Sequence, residues 1–155
     1  NEYLQFSKTT STEKTETFDI SDLINKIIKK YENNNITLEQ PQETFINGRK
    51  NLIQRCFNNL INNSLKYAKK IEIKQEKLKK NIFIFIEDDG PGIPISEYEN
   101  VFKPFYKIDK SRSESKSSVG LGLSIASDII RSHGGNIDLG KSKLGGLKVT
   151  ISLPV

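Results

Sequence analysis

The run Ile82-Phe83-Ile84-Phe85-Ile86 passes without a break into Glu87-Asp88-Asp89-Gly90-Pro91-Gly92-Ile93, and this junction narrows the possible folds more than any other stretch. An unbroken apolar run ending at glycine and proline predicts a buried strand that empties into a tight turn. Side chains alternate along a strand, so Asp88 shares a face with Ile82, Ile84 and Ile86, while Asp89 points away with Phe83, Phe85 and Glu87. Asp88 is then a carboxylate facing an apolar pocket, which is costly unless it is hydrogen-bonded there. Gly90 and Gly92 let the backbone take positive φ and approach a ligand without a Cβ in the way. The arrangement suits a flat, mostly apolar ligand with an exocyclic amine, such as adenine. A simple turn at a strand end fits the same short motif.

The chain has 155 residues, enough for one domain with a real core. Its net charge of +5 raises the question of a nucleic-acid partner, but the lysines are dispersed and no nucleic-acid module is recognisable. We therefore expect no nucleic acid, and a basic surface that favours an anionic nucleotide. A single cysteine excludes an internal disulfide and fits a reducing compartment. No run reaches the roughly 18 apolar residues of a membrane span. The chain contains no Met, so a piece of a longer protein is expected.

Taken in order, Asn1 to Phe6 reads as the last turn of an upstream helix, and residues 7–17 read as a polar linker. Asp19 to Asp22 offers capping residues for a helix reaching about Glu32, followed by short strands at Ile36 to Glu39 and Glu43 to Ile46. Arg49 to Tyr67 is the strongest helical pattern. Leu52, Ile53, Cys56, Phe57, Leu60 and Ile61 fill one arc, with Arg55, Asn58 and Asn62 on the wet side. Asn63 projects inside the apolar arc, with Asn59, Lys66 and Tyr67 near the same edge, so its amide needs a partner, either backbone or ligand.

Ile71 to Lys74 and Asn81 to Glu87 predict two strands joined by a Lys-rich turn from Glu76 to Lys80. Pro94 and Ser96 begin a short helix through Val101, and Phe102-Lys103-Pro104-Phe105 follows. Residues 107–118 are rich in serine and cations, a composition expected of a lid. Gly120-Leu121-Gly122-Leu123 opens a last helix with apolar face Leu121, Ile125, Ile129 and Ile130; its N-terminus offers free N–H groups to an anion. Gly134-Gly135 caps that helix, and strands at Asn136 to Leu139 and Leu147 to Leu153 close the chain. His133, at the helix end, reads as a cap or surface residue, and Cys56 as core.

Three stretches occur in fixed order: Asn59-x-x-x-Asn63-Ser64-x-Lys66-Tyr67, Asp88-Asp89-Gly90-Pro91-Gly92-Ile93 and Gly120-Leu121-Gly122-Leu123. With Phe102-Lys103-Pro104-Phe105 between the last two, the set resembles the asparagine, first glycine, phenylalanine and second glycine boxes of sensor histidine kinases. The resemblance covers the catalytic and ATP-binding domain, here residues 18–155 with a lid at 106–119. Residues 1–17 would be the end of a dimerisation helix and a linker. Gly145-Gly146-Leu147 and the terminal Leu-Pro-Val look most like the osmosensor-type (EnvZ-like) members. The implied fold is a two-layer α/β (Bergerat) sandwich, a mixed β-sheet against about three helices.

The resemblance implies that Asp88 accepts a hydrogen bond from the adenine amino group, bordered by Tyr67 and Ile93. Asn63 would coordinate Mg²⁺ with support from Asn59, and Lys66, Lys107 and Arg112 would contact phosphate. Gly90 and Gly92 allow close approach, and the segment Gly120, Leu121, Gly122 and Leu123 brings backbone N–H groups to the phosphates. Phe102 and Phe105 would anchor the lid or belong to the core. Many members carry a glycine where this chain has Ser118. ATPase branches of the wider superfamily carry a glutamate at position 59; Asn59 is no general base, so slow hydrolysis is implied.

The implied activity is a protein histidine kinase that uses ATP and Mg²⁺. Its phosphoacceptor histidine would lie on dimerisation helices outside this chain, making the parent a homodimer and this fragment a monomer. The phosphoryl group would pass to a response regulator. The implied location is the cytoplasmic side of a bacterial inner-membrane sensor. A degenerate nucleotide-binding scaffold and an anti-sigma-type serine kinase are the alternatives.

Overall fold

The computed structural model describes residues 13–31, 35–39, 41–106 and 122–155. Its elements in chain order are β1 (Glu16–Asp19), α1 (Ile20–Lys29), β2 (Asn35–Glu39), β3 (Phe45–Gly48) and α2 (Lys50–Leu65). They continue with β4 (Lys70–Leu78), β5 (Asn81–Asp88), α3 (Gly122–Ser132), β6 (Asn136–Lys141) and β7 (Leu147–Pro154). Five strands form one mixed sheet in the order β2-β4-β5-β7-β6, with β2 parallel to β4 and the other pairs antiparallel. β1 and β3 form a separate antiparallel ribbon.

Alternation builds the core. Ile71 and Ile73 of β4, Ile82, Ile84 and Ile86 of β5, and Val149, Ile151 and Leu153 of β7 are all buried. Against them lie Leu23, Ile24 and Ile27 of α1, the expected arc Leu52 to Ile61 of α2, and Ile125, Ile129 and Ile130 of α3. The expected two-layer sandwich is therefore present, with three α-helices among the described residues. Burying Leu or Ile side chains of this kind contributes about 1.5 to 3 kcal/mol each. Cys56 is fully buried in this layer, and burial pushes its thiol pKa far up, as suits a core residue.

The helix ends follow capping chemistry. Asp19 caps α1, its carboxylate accepting from the Ser21 N–H at 3.0 Å and from the Thr44 N–H at 3.0 Å. At the end of α3, Gly134 takes φ +77°. The Gly135 N–H donates to Ile130 O and the Gly134 N–H to Arg131 O, each at 3.0 Å, which closes the helix in a Schellman motif.

Several expectations need correction. Residues 1–12, read as helix end and linker, lie outside the described residues, but the end of the linker stretch belongs to the fold: β1 starts at Glu16, because its backbone finds a ladder on β3 that no local pattern announces. β4 and β5 run on through the Lys-rich stretch to the pair Leu78 and Asn81, leaving only Lys79 and Lys80 as the turn. One face of a hairpin that meets water tolerates such lysines. The expected short helix is instead two 3-10 turns, Ile95–Glu97 and Asn100–Phe102. Asn58 and Asn62 do stay off the buried arc as expected, and there the Tyr31 hydroxyl lies 3.3 and 3.1 Å from their side-chain oxygens.

Candidate adenine-nucleotide site

Asp88 ends β5 and is 6% exposed, at the head of the inward column of isoleucines. Its Oδ1 accepts from the backbone N–H of Gly90 and of Leu147, both at 3.0 Å. Its backbone carbonyl accepts from the Gly146 N–H at 3.0 Å. With Oδ1 committed twice, Oδ2 is the oxygen left to accept from an outside donor. Asp89 has a different task on the opposite face. Its Oδ1 accepts from the N–H groups of Lys69 and Lys70 at 2.8 and 3.0 Å. The Lys70 and Lys69 N–H groups hold that carboxyl below the usual carboxylate range.

The β6–β7 turn was missed as part of the site by sequence reasoning. A Cβ at Gly146 would fall 2.1 Å from Asp88 Oδ1, 2.6 Å from Asp88 O and 2.6 Å from Gly90 N. Only glycine permits this approach. The same turn is stapled one residue earlier on β5: Glu87 Oε1 accepts from Ser142 Oγ at 3.1 Å and from the Lys143 N–H at 3.2 Å. Paired glycines in a hairpin turn were the available signal, but which strand they touch is a long-range fact.

The three boxes come together. A Cβ at Gly90 would sit 3.1 Å from the carbonyl oxygen of Tyr67, so the loop after β5 passes against the end of α2. A Cβ at Gly122, the first residue of α3, would sit 4.0 Å from the carbonyl oxygen of Asn59. Gly92 adopts φ +74° beside Gly146, and Ile93 packs against the core. Asn59 and Asn63 are half-buried on α2, and Asn59 Nδ2 is buried with no hydrogen-bond partner among the described residues. Lys66 follows the last turn of α2, half-buried, and Tyr67 beside it is exposed. Leu123 is buried at the start of α3.

The two phenylalanines separate. Phe102 packs against the core, whereas Phe105 is 55% exposed with φ +65°, so the core-packing alternative holds only for Phe102. Gly120, Leu121, Lys107, Arg112, Ser118 and all of the expected lid beyond Tyr106 lie outside the described residues.

An orphaned amide donor suits an anionic, oxygen-rich ligand. Among the described residues no group of three or more His, Cys, Asp or Glu side chains is placed to hold a metal ion. A divalent cation is then suited only if ligand oxygens complete its shell beside the neutral amide oxygens of Asn63 and Asn59, a donor set that fits Mg²⁺ carried on phosphates.

The family described as histidine kinase-, DNA gyrase B-, and HSP90-like ATPase matches residues 48–155. The sensor protein kinase WalK of Staphylococcus haemolyticus is 34% identical over 167 residues, covering 99% of this chain and 28% of the relative. The sensor histidine kinase CpxA of Escherichia coli is 37% identical over 109 residues, covering 70% of this chain and 24% of the relative. The chain thus spans about a quarter of the length of these relatives. Among solved structures, the ATP-binding domain of PrrB from Mycobacterium tuberculosis superposes with a TM-score of 0.76 at 24% identity, over 90% of this chain and 96% of that one. The catalytic domain of the histidine kinase ThkA gives 0.79 at 23% identity, over 91% and 95%. The fold, the matched profile and the assembled boxes agree: the chain belongs to the histidine kinase-, DNA gyrase B- and HSP90-like ATPase family, and its relatives there include sensor histidine kinases.

Proposed function

We propose that this domain holds Mg-ATP between α2, the loop after β5 and the start of α3, and passes the γ-phosphoryl group to a histidine on dimerisation helices of the parent protein. The observation that carries the reading is the Asp88 carboxylate, buried and pinned through Oδ1, which leaves Oδ2 as the acceptor for a ligand donor. Such an acceptor pairs with the amino group of adenine and repels the carbonyl oxygen that guanine carries there. Gly90, Gly92, Ile93 and Tyr67 border the base in this reading, and Gly120 and Gly122 offer backbone N–H groups to the phosphates.

Asn63, with Asn59, would hold Mg²⁺ through amide oxygens; when bound, the ion neutralises developing charge on the phosphates. Lys66, with Lys107 and Arg112 from the lid, supplies further positive charge. Asn59 cannot take a proton from water near neutral pH, which keeps hydrolysis slow and reserves the phosphoryl group for transfer. Phe102 anchors the segment leading to the lid through its packing. In this reading the partners are the parent's own dimerisation helices, making a homodimer, and then a response regulator, on the cytoplasmic side of a bacterial membrane sensor. No helix among the described residues is long and apolar enough to cross a membrane.

The test is label transfer from γ-labelled Mg-ATP to a separately supplied His-bearing helical hairpin from the parent. Label that is acid-labile and alkali-stable supports the histidine kinase. Acid-stable label on a serine substrate would favour an anti-sigma-type kinase, and nucleotide binding without any transfer would favour a scaffold.

A further inference from the structure

Helix α2 carries Asn59 and Asn63, yet its N-terminus is capped by no residue near it in sequence. Arg49 occupies the N-cap position without a side-chain cap bond and instead sends its guanidinium to Ser132 Oγ at 2.7 Å. The open donors are met from afar. Glu13 Oε2 accepts from the Asn51 N–H at 2.7 Å, and Glu13 Oε1 accepts from the Leu52 N–H at 3.1 Å. A carboxylate there also meets the positive end of the helix dipole. His133 Nε2 accepts from the Arg49 N–H at 2.9 Å, while its Nδ1–H donates to Ile129 O at 2.7 Å within α3.

Glu13 lies just ahead of β1, so its two bonds fasten the N-terminus of α2 to the entry of that strand. The helix it holds is 16 residues long, a rod of about 24 Å. At the far part of that rod Asn59 meets the start of α3. The rod is packed along its buried arc, so the seat of its N-terminus and the place of Asn59 along it are set together.

We infer that Glu13 is a clasp coupling the entry to β1 to the nucleotide site through α2. Closed, it fixes the seat of α2 against the entry to β1. Open, it lets α2 shift Asn59 and Asn63. The inference rests on the nucleotide reading above, and it makes Glu13 a positioning residue with no contact to the ligand. Because coupling is reciprocal, nucleotide binding must tighten the clasp by the same factor by which the clasp tightens nucleotide binding.

The experiment combines amide hydrogen exchange at Asn51 and Leu52 with titration of a non-hydrolysable ATP analogue, on the full chain. In the native chain, saturating analogue is expected to slow exchange at both amides. Glu13→Ala should accelerate both amides relative to Ile84 in the sheet core and weaken the analogue by about fivefold, a coupling of ordinary size. A double variant, Glu13→Ala with Arg49→Ser, gives the helix a local cap, read against Arg49→Ser alone. The cap should restore slow exchange and leave the analogue weak. If exchange at Asn51 and Leu52 is unchanged in Glu13→Ala, there is no clasp. If the local cap restores affinity as well, Glu13 is merely a cap and the inference falls. A native chain that binds no adenine nucleotide, while the amides still respond to Glu13→Ala, would overturn the nucleotide reading and the coupling with it, leaving a structural cap.

Discussion

Replacing Gly146 by alanine puts the geometry around Asp88 to a quantitative test. The new methyl group would start 2.1 Å from Asp88 Oδ1 and 2.6 Å from both Asp88 O and Gly90 N, and two of those three atoms are backbone. Relief requires the turn and the end of β5 to separate by about 1 Å, since unstrained heavy-atom contacts lie near 3.5 Å. Three hydrogen bonds of 3.0 Å cross that gap or meet at its edge: Gly146 N–H to Asp88 O, and Leu147 and Gly90 N–H to Asp88 Oδ1. An overpacked site costs about 1 to 3 kcal/mol, and a weakened bond to a charged group adds to it. For a domain of this size the melting temperature should fall by roughly 5 to 15 °C. The misdirected carboxylate should also lose its bond to the adenine amine, worth about 1.5 to 3 kcal/mol, or on the order of 10- to 150-fold in affinity. Thermal unfolding and calorimetric titration with ATP measure the two effects. Gly140→Ala is the control, because nothing lies within 4 Å of a Cβ there. A Gly146→Ala protein that melts early but binds within about twofold of native would refute the positioning of Asp88 by this turn.

Two other predictions concern the amide pair and the lone histidine. Asn63→Ala should remove the Mg²⁺-dependent part of nucleotide affinity and spare Mg²⁺-free binding; equal losses with and without metal, by titration, would make Asn63 a structural residue only. Burial holds the His133 pKa below the ordinary histidine value, outweighing the opposing bond to Ile129, and Nε2 must stay unprotonated to accept from Arg49. The unfolded chain therefore takes up this proton first on acidification. Stability should fall as pH drops below about 6.5 and level off once the folded-state pKa is passed. Denaturant unfolding across that range should lose this slope in His133→Gln, and an unchanged slope would exclude His133 as its source.

Local pattern carried much of this structure. The alternation of Ile82 to Ile86 assigned Asp88 to the buried face because strand geometry admits no other result once one isoleucine is inside. The arc from Leu52 to Ile61 is buried as helical spacing requires. What stayed hidden depends on contacts between residues far apart in sequence. β1 is four polar-rich residues whose partner, β3, lies about thirty residues on. Glu13 reads as one more charge in a solvated stretch until α2 is seen to end beside it. Gly146 resembles any turn glycine until the distance to Asp88 is known. Phe105 has the composition of a core residue, and its exposed position is fixed by the turn that surrounds it.

The most direct test of the central claim is calorimetric titration of this chain with ATP and with GTP, with and without Mg²⁺, alongside Asp88→Asn. The native chain should bind ATP in preference to GTP, and more tightly with Mg²⁺. Asp88→Asn can retain the bonds from Gly90 and Leu147 while offering the base an N–H instead of a carboxylate oxygen, so ATP affinity should fall by on the order of 10- to 100-fold. Equal affinity for the two nucleotides, or an Asp88→Asn protein that binds ATP as the native chain does, would contradict the assignment of this carboxylate to the adenine.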